Sequence, residues 1–141
     1  MVVRVKVRLS RGSNVKELVV LVNSGAESEE PTVVVDRDVA EPLGFNLDEL
    51  DVVEVELASG KTHSFISRDK ARLELLSDEG RVLSAVDVYV VVDEMLNEPL
   101  ITDSTIDALG IQVVSFKKGL WRHANDPPIL IRESAKPLSP I

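Results

Sequence analysis

At 141 residues the chain is about one domain in size and long enough to bury a core; with aromatics at only 4%, Val, Leu and Ile must fill it, and β-branched Val favours strands. The net charge of −8, with no basic run longer than Lys117-Lys118, argues against nucleic acid and anionic membranes as partners, because neutralising phosphates takes clustered Lys and Arg. The absence of cysteine excludes disulfides and thiolate metal sites; together with the lack of a long apolar run or a signal-peptide core, it leads us to expect a cytoplasmic protein.

Val2 to Leu9 alternates apolar and charged residues, the pattern of a strand with one wet face. A turn over Arg11 to Asn14 returns the chain as a second strand, Val15 to Val22, which ends in an apolar run. Asn23 to Pro31 reads as a loop carrying Gly25 and the acidic residues Glu27, Glu29 and Glu30. After a short strand, Thr32 to Val35, Asp36 can cap a helix that Pro42 limits to about two turns and Gly44 terminates. Asp51 to Ala58 alternates again, Ser59-Gly60-Lys61 is a hairpin tip, and Thr62 to Ser67 leads away from it. Lys70 to Leu76 and Arg81 to Val92 are longer strands about the turn Ser77 to Gly80. Asp103 or Ser104 is expected to cap a second short helix stopped at Gly110. Ile111 to Phe116 and Leu120 to Arg122 form a last hairpin. The pattern predicts an all-β domain with two short helices, and short, regularly spaced strands suggest a closed, barrel-like sheet. Residues 1–125 are assigned to this domain and residues 126–141 to a proline-rich tail with one apolar patch, Pro128 to Ile131.

The order of these features is specific. Val22-Asn23-Ser24-Gly25-Ala26 follows an apolar strand, and Ala58 to Lys61 tips a hairpin. Leu100-Ile101-Thr102-Asp103 then leads into Ile106, Leu109, Gly110 and Ile111, and Phe116 to Trp121 closes the last strand pair. Over roughly residues 2 to 123 the chain resembles the retropepsins, the single-lobe aspartic peptidases of retroviruses and their cellular relatives. Two positions depart from that family's pattern. Asn23 stands at the position of the catalytic Asp, and Thr102 stands where a glycine follows the apolar pair.

The resemblance implies an aspartic endopeptidase acting on peptides or unfolded protein, with neither metal nor cofactor. Such enzymes set two carboxylates around one water. The pair shares a proton because like charges so close cannot both ionise. One carboxylate takes a proton from the water while its protonated mate polarises the scissile carbonyl. The chain holds a single Asn-Ser-Gly triplet, so the resemblance implies a twofold homodimer with the pair on the axis. Asn23, Ser24 and Gly25 then occupy the catalytic positions, Ser24 bonding across the axis and Gly25 allowing close approach. Ala26, Ala58, Ser59, Gly60 and Lys61 are the expected substrate-binding positions. Asn23 has no ionisable group, so the amide keeps the hydrogen-bonding shape of the site without its acid–base chemistry. The chain as written is expected to be essentially inactive, either as an Asp→Asn form of a peptidase or as a natural non-catalytic peptide-binding or dimerisation module.

Other residues read more plainly. His63 and His123 are the only histidines, too few for a zinc site. Trp121 is expected in the core, Lys61 to keep the hairpin soluble, and the glutamates of the 23–31 loop to be solvated or to form an acidic rim favouring basic peptides. With the first strand beginning almost at Met1, the C-terminal Ile129-Leu130-Ile131 is the expected tail contribution to the dimer.

Overall fold

Alternation along the first strand translates directly into burial. In a computed structural model that describes residues 2–57 and 60–136, with the backbone alone at residues 55–57, 62 and 63, β1 spans Arg4–Arg11. Val5, Val7 and Leu9 are fully buried, while Arg4, Lys6 and Arg8 between them are half-buried. The exposed face of β1 is laced by ion pairs: Arg8 reaches Glu74 on the neighbouring strand at 3.2 Å. β2 (Asn14–Val22) returns antiparallel in register Arg11↔Asn14, so the connecting turn is only Gly12-Ser13.

β3 (Thr32–Val35) is buried throughout. Helix α1 (Arg37–Ala40) begins as expected, with the Asp36 side chain accepting a hydrogen bond from Val39 N at 3.1 Å. It tightens into a 3-10 turn, Glu41–Leu43, and ends at Gly44, whose φ of 90° a side chain would resist. A second 3-10 turn, Leu47–Glu49, was not expected from the pattern. β4 (Asp51–Leu57) and β5 (Gly60–Ile66) pair antiparallel from Asp51↔Ile66 to Leu57↔Gly60. The expected hairpin tip includes Ala58 and Ser59, which lie outside the described residues. β6 (Ala71–Leu76) and the long β7 (Val82–Val92) follow. Then come β8 (Leu100–Ile101), helix α2 (Asp103–Leu109), β9 (Ile111–Ser115), β10 (Leu120–His123) and β11 (Arg132–Glu133).

Among the described residues the molecule is mostly β with two short α-helices, as the composition implied. The larger sheet has the order β3-β8-β2-β1-β6-β7-β5-β4, and β3 also pairs with β7, so the strand order is circular from β3 round to β7. The β4–β5 hairpin extends from that circle through Phe65↔Val92 and Ile66↔Val91. Leu73, Leu75, Val90, Ile101 and Leu109 fill the interior with the β1 side chains. Trp121 joins this core and donates its Nε1–H to Glu133 O at 3.2 Å. No helix among the described residues is long and apolar enough to cross a membrane.

Two details differ from the sequence pattern. Helix α2 is capped neither by Asp103 nor by Ser104: Thr102 is its N-cap residue, and its hydroxyl turns to the Thr32 and Thr105 side of the helix instead. The stretch after Asn125 also carries structure. β11 pairs with β10, Ser134 N donates to Gly119 O at 2.7 Å, and Ala135 N donates to Arg4 O at 2.8 Å. Arg132 forks onto Asp126 through two hydrogen bonds of 2.8 Å. Ile129 remains 93% exposed, so the apolar patch of the tail is not absorbed by its own chain.

Candidate functional site

β8 is two residues long, yet it organises the site. It lies parallel to β2, with Leu21↔Leu100 and Val22↔Ile101, and antiparallel to β3, with Val33↔Ile101. Its entry is held by the half-buried Arg4 and Glu98, paired through Nε–Oε2 at 2.8 Å and Nη2–Oε1 at 2.9 Å. That forked bond lowers the Glu98 carboxyl from its ordinary value and raises the Arg4 guanidinium.

The loop after β2 is pinned on this wedge. Asn23 N donates to Ile101 O at 3.3 Å, Ala26 N closes a tight turn onto Asn23 O at 3.1 Å, and Asp103 N donates to Ala26 O at 2.9 Å. The strand therefore ends in a small polar triplet because the chain must turn at once beside β8. Within the turn, Asn23 Oδ1 accepts from Gly25 N at 3.1 Å. A Cβ on Gly25 would stand 3.3 Å from that same oxygen, a tight contact that the amide would have to relieve by moving a few tenths of an ångström. A carboxylate at position 23 could accept the same bond through one oxygen and present the other outward, where the amide presents NH₂. Ser24 is exposed.

Behind the turn lies a set of hydroxyls that the motif alone did not reveal. Ser28 Oγ lies 2.6 Å from Thr102 Oγ1 and 2.7 Å from Ser104 Oγ, and donates to Glu30 O at 2.7 Å. Ser28 N donates to Asp103 Oδ1 at 3.0 Å. Thr105 Oγ1 continues the chain, 3.0 Å from Thr102 Oγ1 and 2.8 Å from Thr32 O. Thr102 sits at φ −84°, ψ 171°, ordinary extended backbone that a β-branched residue adopts without strain. The threonine where the retropepsin pattern has glycine thus fits its backbone and spends its hydroxyl on fastening the loop to α2.

A cavity of about 600 Å³ opens beside this turn. Gly25, Ala26 and Ser28 form one wall and Val53, Ser64 and Ile66 of the β4–β5 hairpin another. Its floor is a small apolar cluster, Ala26, Val34, Val91 and Leu100, separate from the main core. The expected site residues are only partly gathered here. Gly25 and Ala26 line the cavity, whereas Asn23, Ser24, Gly60 and Lys61 are not among the lining residues. Lys61 is exposed and pairs with Glu54 at 3.3 Å. Ala58 and Ser59 lie outside the described residues. Of the loop glutamates, Glu27 lines the cavity and Glu30 pairs with Lys70 at 3.5 Å. His123 is buried, its Nδ1 accepting from Asn125 N at 3.2 Å. Ser64 and Asp93 line the cavity without having stood out in the sequence, where neither belongs to a local motif.

No family model matches the chain, and no curated protein matches it.

Proposed function

We propose that this chain is one half of a retropepsin-type aspartic endopeptidase site, completed by a second copy about a twofold axis and disabled by Asn23 at the catalytic position. The circular strand order, with a hairpin extending over a cleft, then corresponds to the closed barrel-like retropepsin fold. One observation carries the proposal: the Asn23-Ser24-Gly25 turn is fastened to the β8–α2 junction, and its Gly25 lines a cavity walled by the β4–β5 hairpin. Sequence order alone would permit these segments to lie far apart.

In such a dimer the Asn23 turns meet at the axis, and the Ser24 hydroxyl, exposed in one subunit, bonds to its mate's loop. An extended peptide lies in the joined cleft as an added strand under the two hairpins. Neither Asn23 side chain can take a proton from water, so hydrolysis stops while binding remains. Asn23→Asp is the test. The restored pair should cleave unfolded protein with an acidic optimum, because the two carboxylates must share a proton. A transition-state mimic with a central hydroxyl should block it. A folded, dimeric Asn23→Asp protein that cleaves nothing between strongly and mildly acidic pH would refute the peptidase assignment. Asn23 also suits a second reading, a natural peptide-binding or dimerisation module on the same scaffold, which that result would favour.

A further inference from the structure

The cavity is apolar at its floor and acidic at its edges. Val34, Val91 and Leu100 provide hydrocarbon, and the charged lining residues are Glu27, Glu54 and Asp93, all carboxylates. Glu54 is shared with Lys61, while Glu27 and Asp93 make no ion pair among the described residues. Asp93 Oδ1 accepts from Met95 N at 3.0 Å, which orients the carboxylate without neutralising it.

An independent observation points to a ligand. Ser64 is 3% exposed and lines the cavity, and its Oγ has no hydrogen-bond partner among the described residues. A buried hydroxyl left unpaired is disfavoured; Oγ is covered here, and turning it about χ1 toward the cavity would let an entering polar group satisfy it. An apolar side chain would cover the floor but leave Ser64 unpaired and set hydrocarbon against carboxylates. An acidic side chain would meet like charge.

We propose that the cavity is a subsite for a long basic side chain, Lys or Arg, of a bound peptide; this rests on the cleft reading above. The methylene stem lies along Val34, Val91 and Leu100, as such stems do on apolar surfaces. The cationic head meets Asp93 and Glu54, and Ser64 Oγ, turned into the cavity, accepts from it. The net charge of −8 adds attraction at longer range.

Because Asn23 prevents turnover, the chain itself serves for binding. Fluorescein-labelled octapeptides identical except for a central Lys, norleucine or Glu are titrated into it by anisotropy. The Lys peptide should bind about tenfold tighter than the norleucine peptide, and the Glu peptide weakest. Asp93→Asn with Glu54→Gln should shrink that advantage to about twofold, and Asp93→Asn alone should reduce it in the same direction. Ser64→Ala should weaken the Lys peptide about threefold while leaving norleucine unchanged. Norleucine binding as tightly as Lys overturns the proposal, and so does a Lys advantage untouched by either charge-removing variant, which would assign it to net charge alone. Binding without basic preference leaves the peptide cleft standing. Failure to bind any of the three overturns the subsite, and an Asn23→Asp chain inactive as well overturns the cleft with it.

Discussion

At Asn23 the difference between an amide and a carboxylate is one group able to accept a proton, and the hydrogen bond from Gly25 N to Oδ1 is one that a carboxylate could accept as well. Losing one such group removes about 10²–10⁴-fold of rate, and twofold symmetry would remove both. The triplet was legible in the sequence because turn chemistry is local: a small polar residue, a serine and a glycine after an apolar run. Ser64, Asp93 and the Ser28–Thr102 hydroxyl contacts were not, because each acquires its meaning from residues distant in the chain. Asp126 belongs to that second class. Beside the Arg132 guanidinium, which donates two hydrogen bonds, and with His123 N–H as a further donor, its carboxyl is lowered from 3.8 to about 2. A depressed folded-state value means stability that is fully present above pH 3.8 and is lost as pH falls towards 2. Asp126→Asn should therefore cost about 2 kcal/mol in urea unfolding at neutral pH and almost nothing below pH 2. A loss of equal size at both pH values would contradict this assignment.

At the scale of elements, length decided what could be foreseen. β1, β2, β6 and β7 are long enough for alternation to show, and Asp36, Gly44 and Gly110 punctuate the helices as their chemistry demands. Two residues cannot display a period, so β8 and β11 were invisible as strands. Tertiary pairing creates them: β8 by insertion between β2 and β3, β11 by the Asp126–Arg132 clasp and the Trp121 contact. The tail therefore has two parts with different roles. Residues 132–135 fasten to their own subunit, so truncation after Asn125 would remove the whole Asp126–Arg132 clasp together with β11 and lower stability outright. Ile129 and Leu130 stay accessible, and burying each against a second copy could contribute up to about 1.5–3 kcal/mol. Ile129→Ser with Leu130→Ser spares the clasp. It should weaken dimerisation at least about tenfold in equilibrium sedimentation while leaving the melting temperature of the dilute, dissociated protein nearly unchanged. An unaltered dimer constant would place the interface on the active-site turns and hairpins alone.

For the whole molecule, the central claim is that one chain supplies half a site. Its cavity is walled by one turn and one hairpin, and the chain has a single Asn-Ser-Gly triplet, so a symmetric catalytic pair would need two copies. Equilibrium sedimentation should accordingly show about twice the 15.5 kDa chain mass at tens of micromolar. Mass alone would not tell a shared site from an unrelated contact between two complete ones. Stoichiometry does. Titration calorimetry of the Asn23→Asp protein with a hydroxyl-bearing transition-state mimic should saturate at one molecule for every two chains, since a single inhibitor spans the axis and meets both carboxylates. Saturation at one per chain would contradict the shared site and return each subunit to independence.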